Sequence, residues 1–314
     1  MVTDKTLLIT GASGFLGSWL ADKAIDEGYR IIGIDIHAPL RPQTWAGFAT
    51  ASCETIDFED LLKDIKLDAV CHLAGGASVA SSVHNPYGDF FSLLPGTARL
   101  TLFLAKHQPQ ARLILFSSAA VYGNPASMPI DETTPVLPIS PYGIHKAMAE
   151  MLLANYNRIY GLGITIFRIF SVYGPGLRKQ LIWDVGQKAL AAAASGQDRI
   201  LLFGTGRESR DFIYVKDLCR AVLTVIAGSA GPGFEVYNLA SGVERNIADV
   251  ASCLISSLGL DIKLDFNGEL PKGDPANWSA DITRLQETGY QAAYTMEGAM
   301  NEVAAWIKEI SKRQ

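Results

Sequence analysis

The chain has 314 residues, of which 48% are hydrophobic and 19% are charged, and its formal net charge at pH 7 is -5. These values are typical of a folded globular protein and exclude a disordered or fibrous chain. The acidic balance provides no positive field for a polyphosphate backbone, so nucleic acid is not an expected partner.

The cysteines and the apolar segments indicate the compartment. The four cysteines are scattered, with neither a CxxC pair nor a histidine at ligand spacing, which favours reduced thiols over disulfides or zinc. Segment 1–10 lacks the basic and apolar regions of a signal peptide. No apolar run approaches the ~18–20 residues of a membrane span. We therefore expect a cytoplasmic protein with no membrane contact.

The first half of the chain alternates short apolar runs with segments of helical periodicity. Near-continuous apolar strands separated by helices indicate strands that are buried on both faces. The predicted fold class is therefore α/β, with a doubly wound parallel (Rossmann) sheet. Strands are predicted at 6–10, 31–35, 69–73, 113–117 and 163–170, with a helix at 142–160 that ends at Gly161.

A glycine-rich turn between the first strand and the first helix predicts dinucleotide binding. Backbone N–H groups in such a turn can approach a pyrophosphate, with the positive end of the helix dipole behind them. The spacing is GxxGxxG rather than GxGxxG, and the expected contacts are Gly11, Ser13, Gly14, Phe15, Leu16 and Gly17.

Asp35 ends the second predicted strand, about where a carboxylate meets the hydroxyls of the adenosine ribose. An acid at this point repels the 2′-phosphate of NADP. The pattern therefore favours NAD over an alternative in which the glycines serve only tight turns and Asp35 caps the next segment.

Ser118 follows the fourth predicted strand, at the carboxyl edge of the sheet where doubly wound folds bind ligands. An isolated serine here is more often a helix cap or a strand terminus. With a partner base nearby, we expect Ser118 to hydrogen-bond the reacting substrate oxygen and to share in proton transfer.

Tyr142 and Lys146 stand four residues apart and share one face of a helix. A phenol has a pKa of about 10, and a nearby ammonium group and a cationic nicotinamide would both stabilise the phenolate. We expect Tyr142 to take up and return a hydroxyl proton, and Lys146 also to reach the cofactor ribose. The spacing alone is common on ordinary helix faces, so the other motifs carry the assignment.

The pattern changes after about residue 174, with a Gly/Pro turn, an alanine-rich helix and a short predicted strand at 200–203. We predict an NAD-binding Rossmann domain at 1–173 and a mainly substrate-binding lobe at 174–314. Segments near 211–225 and 237–239 are expected to return to the large domain.

Taken together, these features resemble an extended short-chain dehydrogenase/reductase of the NAD-dependent epimerase/dehydratase family over almost the whole chain. The resemblance implies NAD as cofactor, a nucleotide-diphosphate sugar as substrate and a homodimer built through segment 85–107 and the Tyr142 helix. The motifs that carry it are 10–17, Asp35, 56–58, 72–75, 117–123, 142–146, 167–176 and 210–215.

The resemblance also implies roles for further residues. Asp57 and Phe58 would contact the adenine, and Leu73, Ala74 and Gly75 would line the cofactor. Arg210 would grip the substrate diphosphate through its bidentate fork, whereas Arg168 is interpreted as structural.

Several positions depart from the family pattern. The 4,6-dehydratases carry acidic residues where this chain has Ala119 and Ala120, which disfavours water elimination. Ser171 replaces the usual asparagine, and Lys272 is a displaced substitute for a phosphate-binding arginine. The family's asparagine-rich turn holds Pro95, which predicts a helix kink.

His145 replaces a small hydroxyl residue of the family, and both it and His72 are interpreted as structural, with no metal site.

The resulting hypothesis is an NAD-dependent nucleotide-sugar 4-epimerase with Ser118, Tyr142 and Lys146 as catalytic residues. A nucleotide-sugar 4-ketoreductase or dehydrogenase would use the same three side chains and remains the alternative. A 4,6-dehydratase or a non-catalytic dinucleotide-binding protein fits the sequence less well.

Overall fold

A computed structural model of the chain describes residues 5–39, 45–76, 78–228, 231–269 and 277–312. The strands are β1 (Thr6–Thr10), β2 (Arg30–Asp35), β3 (Gly47–Thr50), β4 (Ala69–His72), β5 (Arg112–Ser118), β6 (Ile164–Ile169), β7 (Ser171–Tyr173), β8 (Arg199–Leu202), β9 (Ser209–Tyr214), β10 (Phe234–Leu239), β11 (Glu244–Asn246) and β12 (Lys263–Phe266). The α-helices are α1 (Phe15–Asp26), α2 (Phe58–Leu62), α3 (Val79–His84), α4 (Pro86–His107), α5 (Pro141–Tyr160), α6 (Gln180–Ala194), α7 (Val215–Gly228), α8 (Ile247–Ser257), α9 (Thr283–Glu287) and α10 (Met296–Ser311). A 3-10 turn, Ala119–Tyr122, follows β5.

The central sheet has seven parallel strands in the order β10-β6-β5-β4-β1-β2-β3. This order confirms the predicted doubly wound fold. From β1 the chain continues to β2 and β3 on one side, and it then crosses to β4, which lies on the other side of β1. The carboxyl ends of β1 and β4 therefore border the crevice in which such sheets bind ligands.

Side chains of successive strand residues enter two different apolar layers. Leu7 and Ile9 pack in the layer that contains α1 and α7, whereas Leu8 packs in the layer of α4 and α5. β5 alternates in the same way, because neighbouring side chains of a strand point to opposite faces. Both faces of the sheet are thus covered, which is the physical reason for the continuous apolar runs in the sequence.

Two smaller sheets complete the architecture. β9 lies between β7 and β11, and β8 pairs with β12. α6, α8 and α10 pack on one another nearby. Across the described residues, no helix has the length and apolarity needed to cross a bilayer.

The two segments that were predicted to return to the large domain occupy different sheets. Residues 237–239 belong to β10, which is an edge strand of the central sheet beside β6. The strand part of 211–225 pairs instead with β7, because β7 follows β6 almost directly and offers β9 an edge. α7 does pack against α1 of the large sheet. The division into 1–173 and 174–314 stays a prediction.

Other differences concern short or irregular elements. β3 was not predicted, because its four residues are partly exposed and lack a clear apolar pattern. Pro95 lies inside α4, which runs as one helix of 22 residues. Gly161 ends α5 in the left-handed conformation (φ 67°), as predicted.

A buried histidine joins β1, β4 and α4. His72 Nδ1 lies 2.7 Å from the Thr10 hydroxyl, and its Nε2 lies 2.9 Å from the Thr97 hydroxyl. The Thr97 hydroxyl donates to the Leu93 carbonyl, so it accepts from Nε2–H, and Nδ1 accepts from Thr10. The ring is therefore neutral, and burial, together with repulsion from Lys146, lowers the pKa of His72 to about 3. This confirms the structural interpretation of His72.

This histidine predicts a loss of stability in acid. Below its ordinary pKa of about 6.5 the unfolded chain takes up a proton that the folded chain does not bind. The free energy of unfolding should fall as pH drops from about 6.5 towards 3, by up to ~1.4 kcal/mol per pH unit from this group. Urea unfolding of the protein and of His72→Asn between neutral pH and pH ~5 tests this. An equal pH dependence in both proteins would contradict it.

Candidate active site

The glycine turn brings β1, α1 and β4 unusually close together. Gly11 has φ 71°, and a Cβ there would lie 2.8 Å from the Ala74 nitrogen. A Cβ at Gly17 would lie 2.2 Å from the carbonyl oxygen of Gly11. Neither position accepts a larger residue without movement of the backbone, which explains the glycines by close approach rather than by a tight turn alone.

The N-terminus of α1 fits a pyrophosphate. Its N-cap is Gly14, and no side chain caps the helix. The first-turn N–H groups of an α-helix have no partner within the helix, so those of Phe15, Leu16 and Gly17 are suited to an anion. The residues present therefore fit the phosphate end of a dinucleotide.

Asp35 stands at the end of β2 beside this turn. Its Oδ2 accepts a hydrogen bond of 2.9 Å from the Ser13 N–H, and its Oδ1 accepts one of 2.9 Å from the His37 N–H. A carboxylate oxygen accepts more than one hydrogen bond, so ribose hydroxyls fit beside these contacts. The Ser13 hydroxyl donates to the His37 carbonyl and fixes the loop after β2.

The remaining cofactor candidates divide into two groups. Leu73, Ala74 and Gly75 follow β4 and are half-buried beside the glycine turn. Asp57 caps α2 by accepting from two backbone N–H groups, and the Phe58 ring packs 5.7 Å from that of Phe103 in the core. The side chain of Phe58 therefore serves packing, which leaves its backbone for the expected adenine contact.

Ser118 and Tyr142 meet because the turn after β5 packs on the start of α5. A Cβ at Gly143 would lie 2.5 Å from the carbonyl oxygen of Ala120, so glycine permits this approach. The Ser118 side chain lies close enough to the Tyr142 phenol to lower its pKa. The Ser82 hydroxyl of α3 accepts from the Tyr142 N–H at 3.0 Å and anchors the helix start.

Lys146 completes the group from one turn further along α5. Its side chain is buried, its ammonium Nζ donates to the carbonyl oxygen of Phe116 at 2.9 Å, and Nζ lies 5.7 Å from the Tyr142 ring centroid. Burial lowers the pKa of Lys146 to about 8, whereas Asp89 and Glu150 act to raise it.

The phenol of Tyr142 differs from the expectation in one respect. Burial raises the pKa of Tyr142 to about 12, the Ser118 hydroxyl acts to lower it, and the charge of Asp89 raises it again. Desolvation of the phenolate outweighs the stabilisation expected from the Lys146 ammonium.

A buried ion pair holds α5 to the sheet beneath these residues. The Arg168 guanidinium lies 2.8 Å from Glu150 Oε2, and the Ser117 hydroxyl donates to Glu150 Oε1 at 2.5 Å. Arg168 also donates to the Tyr122 hydroxyl at 3.1 Å. These contacts agree with the structural interpretation of Arg168.

Two of the candidate substrate-binding residues, Ser171 and Arg210, lie on the three-stranded sheet of β7, β9 and β11. Ser171 begins β7 and pairs with Phe212 of β9, two positions after Arg210, so Ser171 and Arg210 share a face of this sheet. The Arg210 guanidinium carbon lies 5.9 Å from the Trp278 ring centroid. Lys272 lies outside the described residues.

One close contact of the site was not predicted. His145 Nδ1 of α5 lies 2.6 Å from Asp89 Oδ2 of α4. No sequence signal could pair two residues that are 56 positions apart. Among the described residues, no group of three or more His, Cys, Asp or Glu side chains could hold a metal ion.

Comparison with known proteins adds a family and close structural relatives. The model of the NAD dependent epimerase/dehydratase family matches residues 7–240. A UDP-glucose 4-epimerase of Mycolicibacterium smegmatis is 30% identical over 319 positions, covering 97% of this chain and 99% of the relative.

Solved structures match along the whole chain. A UDP-N-acetylglucosamine 4-epimerase of Methanobrevibacter ruminantium, in complex with UDP-N-acetylmuramic acid, has a TM-score of 0.86 and 29% identity, covering 99% of this chain and 100% of that chain. A UDP-glucuronic acid 4-epimerase of Bacillus cereus, in complex with UDP-glucuronic acid and NAD, has a TM-score of 0.85 and 25% identity, covering 97% of this chain and 99% of that chain.

The glycine turn gives a direct test of the cofactor site. Gly17→Ala should weaken NAD binding about tenfold or more, because the new Cβ forces the turn and its N–H groups apart. Gly233→Ala is the matched control, since a Cβ there meets nothing within 4 Å. Calorimetric titration of nucleotide-free protein with NAD measures both. An unchanged Kd in a folded Gly17→Ala protein would refute this role of the turn.

Proposed function

The chain belongs to the NAD dependent epimerase/dehydratase family, and on that premise we propose that it is an NAD-dependent 4-epimerase of UDP-sugars. The observation that carries the proposal is the meeting of three side chains: the Lys146 Nζ lies 5.7 Å from the Tyr142 ring centroid, and the turn that follows Ser118 packs on the start of the Tyr142 helix. The UDP-sugar class is proposed because similar proteins along the whole chain are UDP-sugar 4-epimerases.

The side chains divide the proton chemistry among them. Tyr142 takes the proton of the sugar 4-hydroxyl, while Ser118 hydrogen-bonds the same oxygen and holds it against the phenol. Lys146 supplies positive charge beneath the ring. NAD, when bound by the glycine turn and Asp35, supplies the acceptor and later the donor of the C4 hydride.

Inversion at C4 requires the 4-keto sugar to present its other face before the hydride returns. Tyr142 then returns the proton to the new 4-hydroxyl, so the cycle ends without net oxidation. Ala119 and Ala120 carry no group that could remove or donate a proton for water elimination, which supports epimerisation over dehydration.

We propose that the substrate binds at the three-stranded sheet of β7, β9 and β11. Arg210 is proposed to bind the diphosphate, and Ser171, on the same face, to contact the sugar nucleotide. Lys272 remains a proposed phosphate contact from the sequence alone.

Incubation with UDP-glucose, UDP-glucuronate and UDP-N-acetylglucosamine tests the proposal. Proton NMR should show the 4-epimer of at least one sugar with no net change in NADH absorbance. Stoichiometric formation or consumption of NADH would instead identify a dehydrogenase or ketoreductase.

The role of Tyr142 gives a sharper expectation. Tyr142→Phe should lower the turnover number by about a hundredfold to ten-thousandfold, because the proton-transfer group is removed while the ring remains. Tyr160→Phe is the matched control, since Tyr160 lies on the same helix with its side chain exposed. Equal turnover in the two variants would exclude Tyr142 as the base.

We also propose a homodimer formed through α4 and α5. Tyr87, Ile144 and Met151 on these helices are exposed large apolar side chains, with relative exposures of 72%, 44% and 63%. Light scattering should give twice the chain mass at micromolar concentration, and Met151→Lys should reduce it to one chain. A monomer mass for the unaltered protein would reject the dimer.

A further inference from the structure

A buried histidine–aspartate pair lies beside the candidate catalytic tyrosine. The side chains of His145 and Asp89 are only 11% and 7% exposed, and the ring and carboxylate are 2.6 Å apart. The Phe90 ring packs edge-on against His145, with centroids 5.6 Å apart. A charged group this well enclosed persists only with a partner, so the two residues depend on each other.

The helix geometry of α5 places Tyr142 next to two nitrogen-containing side chains, His145 and Lys146. His145 follows Tyr142 by three residues and Lys146 follows it by four, so both neighbour the tyrosine on the helix surface, one on each flank. Lys146 donates a hydrogen bond to the Phe116 carbonyl of β5, whereas His145 contacts Asp89 of α4.

Asp89 also contacts the turn that follows β4. A Cβ at Gly76 would lie 1.9 Å from Asp89 Oδ1, so the carboxylate rests directly against this turn. The Ser92 hydroxyl accepts from the Gly76 N–H at 3.0 Å and donates to the Asp89 carbonyl at 2.8 Å. α5, α4 and the Gly75–Gly76 side of the proposed cofactor site therefore meet at Asp89.

Among the charged groups near Tyr142, Asp89 is the carboxylate whose charge acts on the phenol. Glu150 of α5 is already matched by Arg168 of β6 at 2.8 Å. His72 of β4 is held neutral, and the contact from α3 is the uncharged Ser82 hydroxyl. Of the described charged groups near Tyr142, this leaves Lys146 as a cation and Asp89 as an anion.

An uncompensated carboxylate beside a phenol opposes removal of the phenolic proton. We propose that His145 and Asp89 form a hydrogen-bonded pair that positions Tyr142 and sets how readily its hydroxyl ionises. The His145 ring N–H donates to the Asp89 carboxylate, and this hydrogen bond fixes the α5 face against α4 and the β4 turn. His145 and Asp89 are thus positioning residues that act through Tyr142, and this role rests on the proposed function of Tyr142 as the base.

Ionisation of Tyr142 can be measured without any sugar substrate. The near-ultraviolet absorbance of tyrosinate is followed in the NAD-loaded protein as pH rises, and the same titration of Tyr142→Phe is subtracted. The subtraction is repeated in His145→Gln, Asp89→Asn and the double variant. Circular dichroism at each pH confirms that the fold persists.

The two single variants should shift the Tyr142 midpoint in opposite directions. His145→Gln removes the ring N–H donor of the Asp89 carboxylate, so the anion acts more strongly on the phenol and the midpoint should rise by about half a pH unit or more; Asp89→Asn removes the anion and should lower the midpoint by a similar amount. The double variant should match Asp89→Asn, because without the anion the His145 ring has no charge to attenuate. Asp89→Asn keeps a side-chain oxygen for the His145 ring, so it retains the packing even where His145→Gln does not fold.

His107→Gln is the matched control. His107 lies 2.7 Å from Glu59 in an exposed pair at the far end of α4, and its loss should not move the Tyr142 midpoint. Shifts in the same direction, no shift, or no Tyr142 signal below the pH of unfolding would each overturn the proposal. A protein that shows the opposed shifts but converts no UDP-sugar would reject the proposed function and leave the pair intact.

Discussion

The hydrogen bond from the Lys146 ammonium to the Phe116 carbonyl is the contact on which the rest of the candidate site depends. A cation with 4% of its surface exposed is costly to bury, and it is tolerated because Asp89 and Glu150 lie close by. The bond joins α5 to β5 two residues before Ser118. It therefore fixes the position of Tyr142 relative to the carboxyl end of β5.

Close backbone approach is the second constraint. Gly11 and Gly17 let α1 meet β1 and β4, and Gly143 lets α5 meet the turn after β5. Each position is closed to a Cβ by a backbone atom rather than by a flexible side chain. The two contacts bring an uncapped helix N-terminus and the Ser118–Tyr142 pair to the same edge of one sheet.

Buried polar networks then make this edge rigid. The neutral His72 ties Thr10 to Thr97 across β1, β4 and α4, and the Glu150–Arg168 pair ties α5 to β6. The Asp89–His145 pair adds a third tie, between α4 and α5. All three use groups that are expensive to leave unpaired in the interior, so each specifies one arrangement of the helices on the sheet.

The sequence by itself determined the fold class, and it located the glycine turn with Asp35 and the candidate residues Ser118, Tyr142 and Lys146. These features are local: apolar runs, a strand-turn-helix spacing and a four-residue helical spacing are all contained in short segments. Strand limits were correct within one or two residues at β1, β2, β4, β5 and β6 for the same reason.

Only the tertiary structure decided what depends on residues far apart in the chain. The partner of β9, the packing of the Phe58 ring and the meeting of Asp89 with His145 follow from which surfaces fold against each other. The pKa of Tyr142 belongs to the same class. Its YxxxK spacing can be read in the sequence, but the desolvation that raises the pKa arises only when α3, α4 and the turn after β5 pack against α5.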